Sequence, residues 1–125
     1  MQKDRETARR YREAAVNGDI MAMNNLGVCY HTGKGVLEDH ATAFFWYMKA
    51  AELGDTYGCF NVAECYYKGD GVEQSDEKAC EWYLKAANKG DMQAQVNLAN
   101  AYYLGKGVEE DHVKANKWWM EAARQ

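Results

Sequence analysis

The same residues return every 36 positions along this chain. Asp19, Asp55 and Asp91 stand 36 apart, as do Leu26, Val62 and Leu98, and Tyr30, Tyr66 and Tyr102. The glycine turn Gly33-Lys34-Gly35-Val36 recurs as Gly69-Asp70-Gly71-Val72 and as Gly105-Lys106-Gly107-Val108. Trp46, Trp82 and Trp118 follow the same step, and so do the pairs Ala50-Ala51, Ala86-Ala87 and Ala122-Ala123. One step further back, Tyr11, Ala14, Ala15 and Gly18 fall on the positions of Tyr47, Ala50, Ala51 and Gly54. The chain therefore reads as half a repeat followed by three whole ones. Repetition at this period marks a stacked architecture, because one short unit cannot bury its apolar face alone and neighbours must share a core.

Each unit splits into two helical patterns. Ala22, Leu26, Cys29, Tyr30 and Gly33 form one apolar stripe at helical spacing, and Ala43, Trp46, Tyr47, Ala50 and Ala51 form another. The 125 residues contain no proline, so glycine supplies the punctuation. Asp19, Asp55 and Asp91 each follow a glycine, the glycine suiting a left-handed helix end and the aspartate an N-cap. Asp39, Ser75 and Asp111 are placed to cap the second helices. Small residues at Gly27, Ala63 and Ala99 are expected to face the paired alanines and bring helix axes to about 8 Å. The predicted fold is all-α, an α/α superhelix (solenoid) of helix-turn-helix hairpins in a single domain. Its expected units are an N-terminal capping helix in residues 1–18 and repeats at 19–54, 55–90 and 91–125.

The run Asn25-Leu26-Gly27-x-x-Tyr30-x-x-Gly33-x-Gly35-Val36-x-x-Asp39, continued by Ala43-x-x-Trp46-Tyr47-x-Lys49-Ala50-Ala51, resembles the Sel-one-like repeat, a relative of the tetratricopeptide repeat. The resemblance spans nearly the whole chain. Departures are small: Ser75 stands for the aspartate, Glu121 for the Lys49/Lys85 lysine, and Gly58 for the Ala22/Ala94 alanine. It implies a non-catalytic protein-interaction scaffold or adaptor whose first helices line a concave face. Some secreted, cysteine-rich relatives have been linked to β-lactam binding; their cysteines recur as regular pairs in every repeat, a pattern absent here, and a small-molecule, β-lactam-type binding protein like those relatives stands as an alternative to the scaffold.

On the first helix of each unit, the side opposite the apolar stripe changes from repeat to repeat. Met21, Asn24, Val28, His31 and Thr32 correspond to Tyr57, Phe60, Glu64, Tyr67 and Lys68, then to Gln93, Val96, Asn100, Tyr103 and Leu104. Free variation is what a solvated face permits. A face carrying Tyr57, Phe60 and Tyr67 beside Glu64 and Lys68, continued by Val96, Asn100 and Tyr103, also has the composition of a protein-binding hot spot. Gly58 weakens that helix by roughly 0.5–1 kcal/mol relative to alanine and leaves room for a ligand. Asn25, Asn61 and Asn97 form a polar column at the edge of the same face, suited either to an extended peptide backbone or to a hydrogen bond between helices. A second expected interface is the C-terminal end, where no capping helix follows Trp118, Trp119 and Met120; self-association through that end is the alternative to a separate ligand.

Other functions have little to stand on. With 15 Lys+Arg against 19 Asp+Glu the formal charge is -4, which leaves no basis for tracking a nucleic-acid backbone. No apolar run reaches the roughly 20 residues of a membrane span, and Met1 to Glu6 lacks the apolar stretch of a secretory signal. A cytoplasmic setting with reduced thiols is the expectation for Cys29, Cys59, Cys65 and Cys80, with Cys65 and Cys80 the one pair placed to meet across antiparallel helices. Cys29 and His31, two apart on a helix, point to different faces, so neither a thiolate–imidazole pair nor a metal site is expected there. His40 and His112 read as solvated residues of helix first turns. Gly33-Lys34-Gly35 lacks the spacing of a phosphate loop, and Glu109-Glu110-Asp111 reads as helix N-terminal charge. No cofactor and no catalytic centre are expected.

Overall fold

The computed structural model describes residues 2–125; Met1, the first residue of the polar N-terminal stretch, lies outside them. Seven α-helices account for the described residues: α1 (Gln2–Val16), α2 (Ile20–Thr32), α3 (His40–Glu52), α4 (Thr56–Lys68), α5 (Asp76–Asn88), α6 (Met92–Leu104) and α7 (His112–Ala123). Each packs on its neighbours in chain order, so the hairpins stack as an all-α solenoid.

The helix starts follow from the capping residues. Asp19 accepts the amide of Ala22 at 3.0 Å, Asp55 that of Gly58 at 2.8 Å and Asp91 that of Ala94 at 2.7 Å. Asp39, Ser75 and Asp111 cap α3, α5 and α7 in the same way at 3.1, 3.2 and 3.0 Å. Each satisfies one of the amides that a helix start leaves without an intrahelical partner.

The glycine turns join the two helices of each hairpin and also dock it on the helix before it. Gly33, Gly69 and Gly105 end α2, α4 and α6 in left-handed conformation at φ 76, 75 and 69°. The second turn glycine has another role. A side chain on Gly35, Gly71 or Gly107 would run into the carbonyl of Asp4, His40 or Asp76, at or near the start of the helix that precedes the hairpin. The turn can lie on that backbone only because the position has no Cβ.

Leu26, Val62 and Leu98 are fully buried, with Tyr47, Tyr83, Ala50, Ala51, Ala86 and Ala87 in the same core. Two packing expectations change. Gly27 faces the ring of Tyr47, not the paired alanines. The Ala22/Gly58/Ala94 position takes that role: a Cβ on Gly58 would lie 2.6 Å from the Ala51 nitrogen. Gly58 is therefore buried against α3 and leaves no space for a ligand.

Candidate binding face and a junction cluster

The first helices α2, α4 and α6 line a shared shallow groove. Val28 comes from α2, Phe60, Asn61, Glu64 and Lys68 from α4, and Gln93 from α6. A second concavity of about 540 Å³, counting its open mouth, lies between the second hairpin and α6. Cys80 and Tyr83 line it together with Glu64, Tyr67, Asn97 and Asn100.

The central repeat contributes a linked polar row. The Tyr83 hydroxyl donates to Glu64 Oε1 at 3.0 Å, and the other oxygen of Glu64 pairs with Lys68 at 3.4 Å. Burial, reinforced by the Glu64 carboxylate, raises the Tyr83 phenol above its ordinary range. Lys106 lies over the Tyr67 ring at 4.7 Å. The thiols are free and buried. Burial pushes Cys65 up to about 12 and Cys80 up to about 11, the opposite of an activated thiolate. Cys80 donates toward the Lys106 carbonyl at 3.4 Å.

The residues singled out in sequence separate into groups. Tyr57, Tyr67 and Tyr103 are 71, 44 and 48% exposed, and Lys68 and Asn100 are exposed as well. Asn25, Asn61, Asn97 and Val96 are half-buried. Phe60 departs from the open aromatic expected: it is half-buried, its ring 6.0 Å from that of Tyr83. Its column is half-buried throughout, and Asn24 donates to Asp55 of the next unit at 2.6 Å. A single helix's periodicity cannot register cover supplied by other helices. At the other end, Trp118 and Trp119 are half-buried, Trp119 leaning on Tyr103 at 5.6 Å, while Met120 is 63% exposed.

One cluster joins residues that the sequence keeps far apart. His31, in the last turn of α2, stacks on His40, in the first turn of α3, at 4.7 Å and 14°. Asp70 comes from the turn between α4 and α5. Its Oδ2 is 3.2 Å from His31 Nε2 and its Oδ1 is 3.3 Å from His40 Nδ1. Glu38 Oε2 meets His40 Nε2 at 2.8 Å. The histidines hold the Asp70 carboxyl below the usual carboxylate range, the hydrogen bond to His31 contributing most. The available signal was the turn column itself, which reads Lys34, Asp70, Lys106.

These features define a class: a short α-solenoid of tandem helical hairpins with a variable face on its first helices. The Sel1 repeat family model matches residues 20–55, 56–91 and 93–125, and the chain belongs to that family. Sel1 repeat proteins are generally helical scaffolds for protein interaction. The structure of c5321, a protective antigen of uropathogenic Escherichia coli with an SLR fold, is similar at 35% identity and TM-score 0.95, over 98% of this chain and 26% of that one. A Sel1 repeat protein from Oxalobacter formigenes is similar at 31% identity and TM-score 0.90, over 97% of this chain and 49% of that one. Helicobacter pylori cysteine rich protein B shares the fold at 24% identity and TM-score 0.76, over 96% of this chain and 89% of that one. The chain thus spans about a quarter of the first of these proteins and about half of the second. No curated protein matches the chain.

Proposed function

We propose that this chain is a non-catalytic binding module that holds a peptide or protein surface along α2, α4 and α6. The observation carrying this reading is the row of exposed tyrosines, Tyr57, Tyr67 and Tyr103, on the first helices of successive hairpins. Aromatic side chains supply large contact area with little rotamer entropy to lose. The concavity beside Tyr67 adds Glu64, Asn97, Asn100 and Lys106 as orienting polar groups. Residues 1–18 serve as the cap, and 19–54, 55–90 and 91–125 as the binding units of one domain. The four buried free thiols suit a reducing, cytoplasmic setting.

The test is affinity capture from lysate of the source organism with the parent chain and with Tyr57→Ala/Tyr67→Ala. A protein retained by the first and lost by the second supports the face; equal retention by both refutes it. A second reading rests on α7, where Met120 and Val113 are 63 and 80% exposed. Self-association through that helix predicts a mass in sedimentation equilibrium that rises with concentration and returns to monomer in Met120→Glu.

A further inference from the structure

We propose that His31, His40 and Asp70 form a binding site for a divalent transition-metal ion of the zinc class, which joins the first hairpin to the turn of the second. One ligand atom from each of His31, His40 and Asp70 lies within 4.8 Å of the other two. Tetrahedral zinc with nitrogen and oxygen ligands near 2.0 Å needs ligand atoms about 3.3 Å apart. Asp70 sets one oxygen 3.2 Å from His31 Nε2 and its other oxygen 3.3 Å from His40 Nδ1, so each carboxylate oxygen stands near that separation from one ring. Two imidazoles and one carboxylate are a donor set for zinc, nickel or copper, whereas magnesium and calcium take all-oxygen sites. The side chains are 41, 35 and 29% exposed, so an ion reaches them from solvent and keeps water on its remaining positions.

Two features distinguish this cluster from a surface ion pair. First, both ring nitrogens of His40 face carboxylate oxygens, Glu38 on Nε2 and Asp70 on Nδ1. A neutral imidazole donates from one nitrogen only. With a metal ion between His40 and Asp70, Nδ1 is the ligand atom and Nε2–H donates to Glu38. Glu38 then plays the part usual for a carboxylate behind a metal-bound histidine: it fixes the tautomer and the ring orientation. Second, the chain contains the same junction built without the two imidazoles. Tyr67, Asp76 and Lys106 occupy the equivalent places one repeat later, and there Lys106 lies over the Tyr67 ring. In the third hairpin Tyr103 stacks on His112 at 4.5 Å, and Glu110 meets His112 at 3.0 Å. The ring stack and the Glu–His contact therefore belong to the scaffold. What is particular to the first junction is a second imidazole at position 31 and a carboxylate at position 70. Gly71 delivers that carboxylate, since only a residue without Cβ lets the turn rest on the His40 carbonyl.

The experiment is calorimetric titration of the full chain with zinc chloride, paired with the visible spectrum of the cobalt(II) form. The expected result is one equivalent bound, with a cobalt spectrum free of thiolate charge-transfer bands. Asp70→Asn and His31→Tyr each weaken binding by at least about tenfold, and Glu38→Gln does so by about 10–100-fold as an outer partner. The double variant His31→Tyr/Asp70→Lys copies two of the three side chains of the later junction and is expected to fold with unchanged far-UV circular dichroism and no zinc binding. His112→Ala leaves the affinity unchanged. The proposal is overturned if the parent chain takes up no zinc, if the double variant still binds it, if His112→Ala weakens it equally, or if cobalt reports sulfur ligation.

Discussion

Gly71 and Gly90 both sit at positive φ, 72 and 97°, yet they differ in what surrounds them. A Cβ at Gly90 meets nothing within 4 Å, whereas at Gly71 it meets the backbone of His40 and Ala41. Replacing either by alanine places a β-carbon in a left-handed backbone, a cost of about 1–2 kcal/mol. At Gly71 the turn must also lift off the first turn of α3, and overpacking of this kind adds about 1–3 kcal/mol. Gly71→Ala is thus expected to lose about 2–5 kcal/mol in all, and Gly90→Ala only the first part. For a domain of this size each kcal/mol corresponds to a shift of about 3–6 °C in Tm, so the two variants are separable by thermal and urea unfolding followed by circular dichroism. Equal losses, or a larger loss at Gly90, would show that the second turn glycine has no docking role and that only its backbone angle matters.

Leu98→Ala truncates a side chain with 1% exposure at the centre of the third hairpin and should cost about 2–5 kcal/mol in urea unfolding. Tyr57→Ala, at a 71% exposed site, should change stability by no more than about 0.5 kcal/mol while weakening any partner held on the first helices; a large fall in Tm would make it a packing residue. Burial raises Cys65 from 9.0 to about 12, Cys80 from 9.0 to about 11 and Tyr47 from 10.0 to about 12. The folded chain therefore keeps protons that the unfolded chain releases, and stability is complete below pH 9 and falls as the pH rises toward 12. Urea midpoints measured from pH 8 to pH 11 check the sign, and a midpoint that rises over that range contradicts it.

Helices, caps and core columns were legible because each depends on residues close in sequence or on a column the period repeats. Asp19 needs only the amide of Ala22, and Leu26, Val62 and Leu98 announce themselves by recurring. The proposed binding face was less legible. Tyr57 and Tyr67 are exposed as helical periodicity implies, but Phe60 lies against Tyr83 of the neighbouring helix, which a wheel drawn for α4 cannot include. Gly58 fails for the same reason: its missing side chain reads as room for a ligand until α3 is seen to fill it. The histidine cluster is the extreme case, since Asp70 reaches His31 across 39 residues of chain.

The period that identifies the fold also shows where variation is free. At each turn the two glycines are held by backbone geometry, one by its left-handed angle and the other by contact with the preceding helix. The residue between them is Lys34, Asp70 or Lys106, and no internal packing fixes its charge. It nonetheless lies over the junction between one hairpin and the next, because the flanking glycines place it there. In the later junction that position supplies a cation to a tyrosine ring; in the earlier one it supplies a carboxylate to two imidazoles. One scaffold thus presents different chemistry at successive joints without altering the stack. A single substitution between two glycines is enough to change what a joint can hold, which is why Asp70→Lys should remove metal binding from the first joint and leave the solenoid intact.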